Sequence, residues 1–165
     1  MATTRASRRA ARNRHNAAAR RPAAAGGHVS KAFRPDAELQ RELLAIFAGE
    51  ARDELDTLSA GLVALEADTA AAVGAGRVEE MMRAAHSLKG GARAVELEPV
   101  DRISHALETL LSGAAARGKF DSETVDLGYR ALDAIESLVE AAGGGPPAEV
   151  NVSSLCDELA GSHGD

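Results

Sequence analysis

From Asp36 to Glu66, apolar residues fall at Leu39, Leu43, Phe47, Ala51, Leu55, Leu58, Leu62 and Leu65. Steps of three and four place them in one stripe along a helix of about 30 residues. Asp36 is positioned to cap its first turn. Gly49 and Gly61 lower the helix propensity by about 1 kcal/mol each without moving the stripe. A Gly/Ala-rich loop is expected at 69–76. Beyond it, Val78, Met81, Ala85, Leu88, Ala92 and Val95 predict a second helix from Arg77 to Val95. Pro99 suits the first position of a third helix, which carries Ile103, Leu107, Leu110 and Ala114 and stops near Gly118. Asp121 or Ser122 can cap a fourth, with Leu127, Ala131, Ile135, Leu138 and Ala142 facing inward.

No stretch alternates with period two, so strands are not expected. The pattern predicts an all-α protein, an up-down-up-down four-helix bundle over residues 36–142. A Gly/Pro linker follows at 143–149. Val152, Leu155 and Leu159 then predict a short C-terminal fifth helix within 150–165, ahead of a brief tail.

Composition sharpens this picture at the N-terminus. Residues 1–35 hold nine Arg and Lys and no acid, while residues 36–165 hold 10 basic and 25 acidic residues. The first segment has almost no large apolar side chain, so burial cannot offset the entropy of ordering it. It is read as a disordered basic tail. A nucleic-acid or membrane arm, an organellar transit peptide and a tether are its functional readings; a merely solvated extension is the plain one. The body, with a net charge of −15, should repel nucleic acid and anionic membranes. No apolar run reaches the length of a membrane span, and no apolar stretch follows the basic N-terminus as in a secretory signal. Cys156 is the sole cysteine, which excludes an internal disulfide and fits a reducing, cytoplasmic setting. One Tyr, three Phe and no Trp leave Ala, Leu, Val and Ile to build the core.

The chemistry concentrates in RAAHSLKGGA, residues 83–92. His86 follows a core position, so its ring turns off the apolar stripe toward its edge. Lys89 and Gly90, three and four residues on, share its surface. Lys89 can offer an ammonium to an anion held on the imidazole. Gly90 leaves space for a partner to come close. Two glycines inside a helix cost stability, so KGG calls for a reason other than folding. On the third helix, Glu108 lies at the stripe edge and His105 further round. If the second and third helices are antiparallel neighbours, Glu108 can accept from Nδ1–H of His86. That fixes the tautomer, leaves Nε2 nucleophilic and stabilises positive charge developing on the ring.

HSLKGGA resembles the phosphorylation motif of histidine phosphotransfer (HPt) domains. The likeness extends to the N-terminal phosphotransfer domain of the bacterial chemotaxis kinase CheA. LLAIFAGEARDELDTLSAGLVALE (43–66) is similar to that family's opening helix, and SHALETLL (104–111) to its third-helix motif. The resemblance covers about residues 36–142 and implies an HPt-like bundle. It implies that His86 is the phosphorylated histidine, that Lys89 and Gly90 are the motif's lysine and glycine, that Glu108 bonds the imidazole, and that His105 is the second histidine of the network. The implied partners are a histidine kinase and a response-regulator receiver domain, with Mg²⁺ held by the receiver. No cofactor or metal is expected on this chain, and a monomer is expected. No ATP-binding domain, dimerisation helices or receiver is recognisable. The chain therefore looks like a stand-alone transfer protein or an excised domain that does not phosphorylate itself.

Taken singly, each residue has a plain reading. His86 and His105 are then surface histidines, Lys89 is a solvated charge, and Glu108 pairs with Arg102. It is their grouping that points to chemistry. A docking bundle that is never phosphorylated is the alternative function. A metal site of His86, His105 and Glu108 is a third reading, disfavoured by Lys89 beside it. His15, His28 and His163 receive no role. Cys156 reads as a buried small apolar residue. Asn151-Val152-Ser153 matches a glycosylation sequon by chance.

Overall fold

The computed structural model of the protein describes residues 36–161. The expected basic tail over 1–35, with His15 and His28, lies outside the described residues, as does His163. Helix α1 (Ala37–Ala67) starts where the Asp36 carboxylate accepts from the Leu39 amide at 2.9 Å. At its far end Asp68 accepts from the Ala71 amide at 3.0 Å and starts a second helix, α2 (Thr69–Gly74). The loop expected there is thus a short helix. Three alanines, the best helix formers, follow a capping aspartate and outweigh the flanking glycines. Gly76, at φ +76°, then reverses the chain into α3 (Arg77–Ala94). Helices α4 (Glu98–Arg117), α5 (Ser122–Ala142) and α6 (Val152–Gly161) complete the described residues, which contain no strand.

Helix α1 packs on α3 and α5, and α4 packs on the same two, so the four long helices enclose one core. Leu58 and Leu62 of α1, Met81 and Leu88 of α3, Leu107 and Leu110 of α4 and Ile135 of α5 are almost wholly buried. Each contributes roughly 1.5–3 kcal/mol by leaving water. The predicted stripes are the buried faces, with graded depth. The first turn of α1 lies at the C-terminal end of α3, where Gln40 Nε2 donates to the Val95 carbonyl at 3.0 Å. Leu39 and Leu43 therefore have less to pack against and stay half-buried. Gly61 has a packing reason: an added Cβ would overlap the Met81 side chain on α3.

The turn from α3 to α4 sets the register of the two helices that hold the site. It comprises Val95, Glu96 and Leu97. Glu96 sits at φ +59°, a left-handed conformation costing a side-chain-bearing residue about 1–2 kcal/mol. Opposing that cost, the Leu97 amide donates to the Ala92 carbonyl at 2.8 Å. The Arg93 guanidinium also reaches both oxygens of Asp101 at 3.1–3.3 Å across the turn.

The C-terminal segment packs mainly on α4. Leu155 and Leu159 are buried. The Asn151 side chain accepts from the Ser154 amide at 3.1 Å, so the asparagine of the chance sequon caps α6. Arg130 pairs with Glu158 at 2.6 Å, and Arg102 reaches the Ser153 hydroxyl at 3.3 Å. Cys156 is only partly buried; that burial pushes its thiol pKa up. Among the described residues no helix is long and apolar enough to cross a membrane.

Candidate functional site

Ala85 is fully buried, and one step further round α3 the His86 side chain is 68% exposed. Its Nδ1 lies 3.0 Å from Glu108 Oε1 on α4. The other oxygen of that carboxylate, Oε2, accepts from Lys89 Nζ at 2.5 Å. One glutamate therefore links the histidine to the lysine one turn along. The side chains of Glu108 and Lys89 are 28% and 18% exposed, so the pair sits behind the ring while the ring faces out.

Partial burial works against a charge on Glu108. Hydrogen bonds from Lys89 and His86, with the positive charge of Lys89, outweigh it and hold the carboxyl below the ordinary glutamate value. An ionised carboxylate only accepts hydrogen bonds, so its contact with Nδ1 places a proton there. A neutral ring then keeps its lone pair on Nε2, the nitrogen away from Glu108. The arrangement is a nucleophile with a built-in counter-charge, its ring standing out from the helix pair toward solvent. An apolar groove lies elsewhere, between α1 and α5. Such a site suits chemistry in which the second protein brings the enclosing pocket.

The two glycines of the motif differ in kind. A Cβ built on Gly90 meets nothing within 4 Å, so the surface beside His86 is open. A Cβ on Gly91 would lie 2.8 Å from two carbons of the Phe47 ring on α1. Gly91 therefore has a folding reason, contrary to the expectation that both glycines serve something else. The Lys89 ammonium is engaged by Glu108. Arg102 points to α6 rather than to Glu108.

His105 lies on the exposed side of α4, one turn before Glu108. Its backbone carbonyl accepts from the Thr109 hydroxyl at 2.9 Å, and its ring makes no hydrogen bond among the described residues. It rims a shallow depression with Lys89, Glu108 and Ser112. The structure thus brings His86, Lys89 and Glu108 together and leaves His105 at the margin. Among the described residues, no three His, Cys, Asp or Glu side chains gather as metal ligands. Two features of the site's foundation escaped sequence reasoning. The Arg93–Asp101 pair had a weak signal, opposite charges flanking a turn. The buried hydroxyl of Ser104, which has no hydrogen-bond partner, had none.

Comparison with known proteins identifies the family. The model of the Hpt domain family matches residues 42–145. The chemotaxis protein CheA of Treponema pallidum is 39% identical over 120 residues, covering 72% of this chain and 14% of the relative. The gliding motility regulatory protein of Myxococcus xanthus is 31% identical over 127 residues, covering 74% of this chain and 16% of the relative. The chain therefore spans less than a fifth of the length of these relatives. A solved structure, the phosphorylated P1 domain of CheA3 in complex with CheY6 from R. sphaeroides, is similar with a TM-score of 0.62 and 30% identity. That likeness covers 74% of this chain and 96% of the solved one. By family model, relatives and backbone alike, the chain belongs to the Hpt domain family.

Proposed function

We propose that the chain is the phosphocarrier of a two-component phosphorelay, with His86 as its acceptor. A kinase acting in trans, or a phosphorylated receiver, presents a phosphoryl group to Nε2. The Nε2 lone pair forms the N–P bond as the bond to the leaving oxygen breaks, and Nδ1 keeps its proton. The positive charge that builds on the ring faces the Glu108 carboxylate. In the onward step a receiver aspartate attacks the phosphorus in line, and the electron pair of the N–P bond returns to Nε2. Transfer of this kind depends mostly on positioning and charge compensation. The open surface at Gly90 suits the approach of a receiver, the kind of partner in the CheA3–CheY6 complex.

The observation that carries the reading is an exposed imidazole whose Nδ1 rests on an ionised carboxylate. The finer assignments follow from it. Lys89 is free to turn from Glu108 toward phosphoryl oxygens once His86 is modified, and His105, at the rim, meets the partner. The contact between His86 and Glu108 across a three-residue turn supports an up-down-up-down course for the long helices. Residues 36–142 are then the transfer bundle, 143–149 its linker and 150–165 a short helix and tail. The chain acts as a monomer in the bacterial cytoplasm, in a chemotaxis-like pathway.

The test is transfer of radiolabel from a phosphorylated histidine kinase to the chain and on to a receiver. Wild-type protein should take up acid-labile label and lose it to the receiver. His86→Gln should stay folded and take up none. Full labelling of that variant would overturn the assignment.

A further inference from the structure

A groove of 660 Å³ runs between α1 and the C-terminal half of α5. Its floor is apolar, formed by Leu44, Ala48, Leu55 and Val139. Ala45 keeps one wall low, and Gly145 and Pro146 close the end where α5 stops. No lining residue belongs to α3 or α4, the helices of His86 and Glu108. The rims carry opposite charges: Arg41 and Arg52 on the α1 side, Glu136 and Glu140 on the α5 side. Among the described residues these four form no ion pair, although two helices hold them along one groove.

The geometry points to a docking groove for an amphipathic helix of a partner protein, used while His86 remains open. An apolar channel between two helices accepts the ridge of a third. Arg41 and Arg52 are three turns apart, about 16 Å along α1, which matches a helical segment of three to four turns. Opposite charges on the two rims fix how that helix lies. Its flank along α1 must be acidic, and its flank along α5 basic. A second copy of this chain fits poorly, because two concave faces cannot fill each other. Binding here would hold a partner close without covering the phosphoryl acceptor. That raises the effective concentration of each for the other.

The probe is a synthetic amphipathic peptide of about four turns with a Leu/Ala ridge, Glu on one flank and Lys on the other. A control peptide carries the same residues with the flanks exchanged, keeping its ridge. Binding to the full chain is read by fluorescence anisotropy and by amide NMR shifts. The matched peptide should bind at least tenfold more tightly than the exchanged one. It should shift Ala45 and Ala48 and leave His86 and Gly90 in place. The fourfold reversal R41E/R52E/E136K/E140K should invert the preference, and Ala48→Arg, which fills the groove, should abolish binding of both. Equal binding of the two peptides would overturn the proposal. So would shifts centred on His86, or self-association of the free chain that Ala48→Arg removes, since a second copy would then own the groove.

Discussion

Replacing Glu108 by Gln separates the two roles of that side chain. The amide is nearly the same size, and its oxygen still accepts from Nδ1–H of His86, so the ring keeps its orientation. The negative charge is lost. As Nε2 binds phosphorus, the charge growing on the ring no longer faces a carboxylate at the 3.0 Å contact. Two unit charges about 4 Å apart interact by ~1 kcal/mol in water and ~4 kcal/mol at an effective dielectric of about 20. The His86 side chain is 68% exposed, so the weaker end applies. A loss of about 1–2 kcal/mol slows phosphoryl acquisition by roughly 5- to 30-fold. Stability should fall by about 1–3 kcal/mol, because the amide nitrogen stands where the second oxygen accepted from Lys89 and leaves that ammonium without its acceptor. The assay is single-turnover phosphorylation by a histidine kinase that labels the wild-type chain, with thermal unfolding measured on the same sample. A wild-type rate in Glu108→Gln would refute the electrostatic role. A loss of rate that merely tracks unfolding would make Glu108 a structural residue.

Other substitutions test the foundation of the site. Gly91→Ala should cost about 1–3 kcal/mol in urea denaturation, because its Cβ meets the Phe47 ring at 2.8 Å. Gly90→Ala, which meets nothing, should hold or raise stability by up to about 1 kcal/mol and slow only transfer to a receiver. Ser104→Ala removes a buried hydroxyl without a partner and should stabilise the chain by about 1 kcal/mol, seen as a higher Tm. Hydrogen bonds from the Thr124 hydroxyl and amide, together with Lys119, hold the Asp121 carboxyl well below the usual aspartate range. Its stabilisation is complete above the ordinary aspartate pKa and is lost as pH falls through the depressed value. Asp121→Asn should therefore lower Tm at neutral pH and flatten its decline on acidification. An unchanged acid limb would exclude that role for Asp121.

The long helices were legible because their cues are local. The stripe from Phe47 to Leu65 is periodic, Asp36 and Asp121 are strong caps, and Gly118 adopts the left-handed φ expected of a helix stop. The contact of His86 with Glu108 was legible only on the condition that their helices were antiparallel neighbours, which depends on packing. Non-local facts were hidden. That Gly91 meets Phe47 and Gly61 meets Met81 depends on how closely α1 approaches α3, which no spacing encodes. That Lys89 is held by Glu108 depends on a carboxylate with two oxygens to share. The α2 helix was missed by weighing Gly above Ala after a capping aspartate.

The identity of the phosphorylated atom tests the account most directly. The ¹⁵N-labelled chain, phosphorylated by a kinase in trans, should show one N–P linkage by phosphorus–nitrogen correlation NMR. The account predicts that linkage at Nε2 of His86, with Nδ1 still carrying its proton. Phosphate on His105, on Nδ1 of His86 or on any other side chain would contradict it.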